Sequence, residues 1–115
     1  MRGADALVYA LEHAGIKTVF ALSGNQIMPI FDALLDTSIT LIHTRHEAAT
    51  VQMAEAYAQI SSGIGIALVT AGGGLGNATG ALIAARASDT PLLLLSGDSP
   101  VSKDGRGAFQ EMDQT

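Results

Sequence analysis

A chain of 115 residues with a net charge of −5, no cysteine and 48% apolar residues has the length of one domain, and folding at that size buries roughly 65% of the unfolded surface. The acidic balance argues against a nucleic-acid partner, which needs a basic face; without cysteine there is no disulfide framework, thiolate nucleophile or thiolate metal site. No apolar run approaches the about 18 residues of a membrane span, and the opening MRGADALVYALEHAG is acid-bearing and amphipathic, unlike a signal peptide, so a cytoplasmic protein with no membrane partner is expected.

Residues 2 to 14 read as a helix, with Ala4, Leu7, Val8 and Leu11 on one stripe and Gly15 as its stop. The β-branched and aromatic run TVFAL (18–22) is a short strand that breaks at Ser23-Gly24-Asn25. A second helix runs from about Pro29 to Leu35, with Pro29 in its first turn. ITLIHT (39–44) is the second strand, and a third helix spans roughly residues 45 to 60. IGIALVT (64–70) is a third strand, apolar enough to be buried on both faces. AGGGLGNATG (71–80) opens a helix of small residues that continues to about Ala87. PLLLLSG (91–97) is the fourth strand, and residues 98 to 115 have weak periodicity.

This alternation of helix and strand with short connections predicts an α/β fold: a mostly parallel sheet sandwiched between helices on both faces. Thirteen glycines and no tryptophan leave a core of Ala, Leu, Ile and Val, which suits helices set close against a sheet. Ligands of such sheets sit at the carboxyl ends of the strands. Ser23-Gly24-Asn25, Thr44 to Glu47, the glycines from 72 to 76 and Gly97-Asp98-Ser99 all fall on that edge.

Three stretches invite a chemical reading, each beside a plainer one. Glycines after a buried strand let a ligand approach the backbone, and the helix N-terminus behind them favours anions. With Asp98 about 20 residues on, the loop resembles a dinucleotide fingerprint, yet Gly72-x-Gly74 meets Asn77 at the third glycine position and Gly74-x-Gly76 meets Thr79. A nucleotide site, a tight structural turn and a site for another ligand all stay open. Thr44-x-x-Glu47 matches a capping box, with Arg45 and His46 as solvated neighbours; the alternative is a catalytic carboxylate. In GRGAFQEMDQ (105–114), Phe109 and Met112 are expected to dock a loop on the core while Gln110, Glu111 and Asp113 face water. His13 suits the dipole at the end of the first helix, and His43 alternates within a strand. No metal-ligand spacing is present.

Taken in order, GIKTVFALSGNQIMPIFDAL, TRHEAATVQMAEAYAQ, ALVTAGGGLGNATGALIAA, TPLLLLSGDSP and GAFQEMDQ resemble the amino-terminal pyrimidine-binding domain of thiamine diphosphate-dependent enzymes, and within them the acetolactate synthase-like group. The resemblance covers nearly the whole chain. It implies a 2-oxo acid decarboxylase or carboligase in which Glu47 is catalytic, sharing a proton with the aminopyrimidine ring so that the cofactor's thiazolium carbon can be deprotonated and attack a 2-oxo acid. It places Thr70, Ala71, Gly72, Gly73, Gly74 and Asn77 beside the pyrimidine. Gly24, Asn25, Gln26, Phe109 and Gln110 line the substrate pocket. Some members carry a histidine at the place of Thr70, and its absence removes one acid–base role.

The same resemblance implies that residues 1–115 are a single, incomplete pyrimidine domain, with a central and a diphosphate-binding domain absent from this chain. The absent domain would hold Mg²⁺ and the diphosphate; Gly97-Asp98-Ser99 is not its metal motif. FAD is a possible second cofactor through the central domain. Each site would draw on two subunits, so a homodimer or tetramer is expected. The alternatives are a non-catalytic dimerisation module of the same ancestry and a nucleotide-binding domain.

Overall fold

In the computed structural model, which describes residues 1–114, four helices and four strands alternate along the chain. The first helix, α1 (Gly3–His13), is fixed at its start by hydrogen bonds that the Arg2 backbone N–H and guanidinium donate to the Asp5 carboxylate, and it stops where Gly15 takes φ +78°, a conformation glycine adopts without a Cβ clash. Arg2 also reaches Asp32 at 2.6 Å. Strand β1 (Thr18–Ala21) is followed by a 3-10 turn (Asn25–Ile27) and α2 (Met28–Leu34), with Pro29 in the first turn as its missing N–H allows. Then come β2 (Thr40–His43), α3 (Glu47–Ser61), β3 (Gly65–Val69), α4 (Gly73–Ala87) and β4 (Leu92–Ser96). Residues 98–114 hold only a 3-10 turn, Val101–Lys103, as their weak periodicity implies. No helix among the described residues is long and apolar enough to cross a membrane.

All strand pairs are parallel, in the order β2-β1-β3-β4. Alternation along the two central strands makes two cores. Val19, Ala21, Ile66 and Leu68 face Val8, Leu11, Ile27 and Leu34 of α1, α2 and the turn before α2. Phe20, Ala67 and Val69 face Val51, Ala54, Ala78 and Ala81 of α3 and α4. The second core is built of small side chains, so α3 lies close on the sheet: a Cβ on Gly65 would stand 2.1 Å from the Ala54 carbonyl oxygen. Phe20 and Tyr57 meet edge to face there, with centroids 5.7 Å apart.

The helix placement follows from crossover handedness. The step from β1 to β2 runs one way across the sheet, and those from β2 to β3 and from β3 to β4 run the other. If every crossover keeps one hand, α2 must lie on the face opposite α3 and α4, as the two cores show. The reversal creates a switch point between β1 and β3, where the chain leaves toward opposite faces and opens a crevice at the carboxyl edge.

Candidate cofactor site

Glu47 owes its position to the junction of β2 and α3. Thr44 N–H still donates to the Ala21 carbonyl at 2.9 Å, extending the sheet pairing by one residue. The expected capping box between Thr44 and Glu47 is not formed. Thr44 is buried and its Oγ1 lies 2.6 Å from Thr50 Oγ1, so sheet pairing and burial take this hydroxyl out of the helix cap. His46 is the N-cap instead, with extended backbone and with Nδ1 accepting the Ala48 N–H at 3.1 Å. The helix therefore begins at Glu47 rather than at Arg45, and Arg45 stays exposed.

Glu47 is thereby free for other contacts. It is half-buried in the first turn of α3, where the helix dipole favours a carboxylate. Asn77, in the second turn of α4, donates from Nδ2 to Glu47 Oε2 at 3.0 Å. Oε1 has no hydrogen-bond partner among the described residues, and a Cβ on Gly74 would lie 3.4 Å from it. One carboxylate oxygen is anchored and the other is presented beside the glycine loop.

Thr70 and Ala71 are buried at the end of β3, and Gly72 turns the chain into α4 with φ +62°. Two of the glycines have a packing cause. A Cβ on Gly24 would come within 2.3 Å of Thr70 Cβ, and one on Gly74 within 2.7 Å of Thr70 Cγ2, so the Thr70 side chain is clamped between the loops after β1 and β3. Gly73 is exposed with open space around it. It is here that a ligand can come close to the backbone.

Gln26 joins these loops to the carboxy-terminal stretch. Its Oε1 accepts from Thr70 Oγ1 at 2.6 Å, and its Nε2 donates to the Phe109 carbonyl at 3.4 Å. Both ends of this amide are engaged, which makes Gln26 a strut across the crevice. Asn25 is exposed, and its side chain has no hydrogen-bond partner among the described residues. A Cβ on Gly72 would meet the Gln110 carbonyl oxygen at 2.5 Å, and half-buried Gln110 takes φ +63°.

The carboxy-terminal stretch reverses one expectation. Phe109, at 73% relative exposure, and Met112 lie outward, whereas Glu111 turns in. Backbone donors explain the reversal: Glu111 accepts from the Ala108 and Gly105 N–H groups, and these bonds, Ala108's first, hold its carboxyl below the usual value of 4.5. Gln114 accepts from the Gly72 N–H at 2.9 Å and donates to the Gly97 carbonyl at 3.1 Å. Sequence reasoning singled out neither Gln114 nor Thr50, because their partners lie on other elements.

A cavity of 410 Å³ lies within the carboxy-terminal stretch, lined by Asp98, Asp104 and Glu111, and one of 480 Å³ lies between α1, α2 and the end of β4, lined by Arg2, Leu7, Gln26 and Gly97. Glu47 lines neither. It stands half-buried beside exposed Asn77 at the start of α4. No cluster of three or more His, Asp or Glu suited to a metal ion occurs among the described residues.

The chain is thus a parallel α/β domain with an anchored carboxylate beside a glycine loop at the carboxyl edge of its sheet. Residues 1–115 match the family described as "Thiamine pyrophosphate enzyme, N-terminal TPP binding domain", and the chain belongs to that family. It is 37% identical over 113 residues to a probable acetolactate synthase large subunit of Methanocaldococcus jannaschii, covering 98% of this chain and 19% of the relative. It is 41% identical over 112 residues to 2-hydroxyacyl-CoA lyase 2 of Danio rerio, covering 97% and 18%. It is 38% identical over 111 residues to the catabolic acetolactate synthase of Raoultella terrigena, covering 96% and 20%. The chain thus spans about a fifth of the length of these curated relatives.

Proposed function

We propose that this domain supplies the aminopyrimidine wall of a thiamine diphosphate site in an acetolactate synthase-like enzyme that decarboxylates or ligates 2-oxo acids. The observation that carries the reading is the Glu47 carboxylate, with Oε2 held by Asn77 and Oε1, without a hydrogen-bond partner among the described residues, toward Gly74. The donor set suits an aminopyrimidine: a carboxyl oxygen can share a proton with a ring nitrogen, and Gly73 and Gly74 leave a flat ring room beside the backbone. When bound, thiamine diphosphate supplies a nucleophilic carbon and a sink for the electron pair left when a 2-oxo acid loses carbon dioxide.

This chain's residues do the positioning. Glu47 holds or yields a proton at Oε1, and Asn77 fixes the plane of its carboxylate. Thr70, Ala71 and Gly72 set the loop that leads into α4. Gly24 and Asn25 form the rim at β1, and Gln26 carries the stretch bearing Phe109 and Gln110 over the crevice, where these two meet substrate.

Mg²⁺ and the diphosphate belong, in this reading, to a separate diphosphate-binding domain contributed by a second subunit of a homodimer or tetramer. FAD would occupy a central domain, and the assembled enzyme is cytoplasmic. The names of the relatives, acetolactate synthases and 2-hydroxyacyl-CoA lyases, support carbon–carbon bond chemistry. The test is carbon dioxide release from a panel of 2-oxo acids by the full-length protein, with and without thiamine diphosphate and Mg²⁺. Release that requires both is the expected result. A dimer that binds neither cofactor nor substrate would make this a dimerisation module instead.

A further inference from the structure

The junction that carries Glu47 contains two buried hydroxyls that no step above uses. Thr44 and Thr50 are 5% and 0% exposed, with their Oγ1 atoms 2.6 Å apart. Both also reach the His46 carbonyl oxygen, Thr50 at 3.3 Å and Thr44 at 3.4 Å, and Thr44 Oγ1 lies 3.4 Å from the Ala21 carbonyl oxygen. Each hydroxyl has one proton to give. If Thr44 donates to Thr50, Thr50 donates to the His46 carbonyl; if Thr50 donates to Thr44, Thr44 donates to the His46 or Ala21 carbonyl. In either arrangement a short chain of hydrogen bonds ends on the backbone of the β2–α3 junction.

The His46 carbonyl is one end of the peptide whose nitrogen belongs to Glu47. It also accepts the Thr50 N–H, the first hydrogen bond of α3. The His46 imidazole, accepting from Ala48, pins the other side of the same turn. Glu47 is therefore the residue whose backbone is held from both directions. Position 50 is one where a helix packed on a sheet prefers alanine, as at Ala48, Ala54 and Ala58. A β-branched hydroxyl bonded to the carbonyl four residues back tends to bend a helix. The hydroxyl at this position thus runs against both propensity and burial, and its partners are all at the junction.

We infer that Thr50, acting with Thr44 through the His46 carbonyl, is a positioning residue for the Glu47 carboxylate. It fixes the first peptide of α3 so that Oε2 reaches Asn77 and Oε1 stands beside Gly74. This rests on the role given to Glu47 above.

The experiment compares Thr50→Val, Thr50→Ala and Thr50→Ser in the full-length enzyme, alone and combined with Glu47→Gln. Valine keeps the shape and removes the hydroxyl, alanine removes it with a better helix former, and serine restores it. Misplacement by about 1 Å can cost 100-fold, so valine and alanine are expected to lower kcat about 10-fold to 100-fold with KM for the 2-oxo acid little changed. Serine should restore most of the loss. Combined with Glu47→Gln, neither should cost more than Glu47→Gln alone, since residues acting as a unit are not additive. A crystal structure of the cofactor-free Thr50→Val enzyme should show the Asn77–Glu47 hydrogen bond broken, a readout independent of turnover. Wild-type kcat in the valine and alanine variants, or losses that add in full to that of Glu47→Gln, would overturn the inference while leaving Glu47 its role. A fully active Glu47→Gln enzyme would overturn both.

Discussion

Glu47→Gln in the full-length enzyme is expected to lower kcat by about 100-fold to 10,000-fold, the range typical of a lost acid–base group. The thermal midpoint should barely move. Glutamine matches the size of glutamate, and its carbonyl oxygen can still accept from Asn77, which now reaches Oε2 at 3.0 Å, so the contact between α3 and α4 survives. Its amide can still donate to a ring nitrogen, so affinity for thiamine diphosphate should fall far less than kcat. Proton exchange at Oε1 is the property the amide lacks. A variant that turned over at the wild-type rate would remove Glu47 from the chemistry. One that unfolded early would mean the carboxylate is structural, since the charge in the first turn of α3 would then matter more than the proton.

The second large effect is on stability. Gly65 opens β3, the strand buried along its whole length, and a Cβ there would stand 2.1 Å from the Ala54 carbonyl oxygen and 2.6 Å from its carbon. The obstruction is helix backbone, which cannot rotate aside as a side chain can. Gly65→Ala must therefore push α3 off the sheet or distort β3. Overpacking commonly costs about 1–3 kcal/mol and occasionally more, and this case is expected at or above the upper end, as a lower urea midpoint with the slope unchanged. Because α3 carries Glu47, activity should fall with stability. Gly73→Ala is the control: nothing lies within 4 Å of a Cβ there, and a stability change within about 1 kcal/mol is expected. A Gly65→Ala protein as stable as wild type would contradict the close seating of α3 on β3.

The helices and strands were legible because their cores demand the periods that define them. Val8 and Leu11 recur at helical spacing, and Ile66 and Leu68 alternate with Ala67 and Val69. Strand order was not legible: alternation of elements implies parallel pairing but leaves open which side of β1 receives β3. The start of α3 was misplaced for a related reason. Thr44 looks like a cap to any local rule, yet its N–H pairs with Ala21 and its hydroxyl with Thr50, partners fixed only once sheet and helix are packed.

The site divides in the same way. Glu47 stood out because an Arg-His-Glu cluster ends an apolar strand in a chain only 15% charged. Its anchor, Asn77, is 30 residues away and became a contact only through the packing of α3 on α4. Thr70 and Gln26 were read as parts of a cofactor loop and a pocket loop, and their mutual hydrogen bond, which ties those loops together, was not legible. The carboxy-terminal stretch was misread because apolar Phe109 and Met112 were expected to seek the core. The backbone donors of Gly105, Ala108 and Gly72 instead engage Glu111 and Gln114, and leaving the buried Gly72 N–H unpaired would cost more than exposing a ring.

The most direct measurement is a calorimetric titration of the full-length protein, in the presence of Mg²⁺, with thiamine diphosphate and with an analogue carrying carbon in place of the ring nitrogen that faces Glu47. A hydrogen bond to a charged group contributes about 1.5–3 kcal/mol, so wild type should prefer the natural cofactor by about 10-fold or more, and Glu47→Ala should erase the preference. A wild-type protein that binds both equally, or a Glu47→Ala variant that keeps the full preference, would contradict the assignment of Glu47 to the cofactor's pyrimidine.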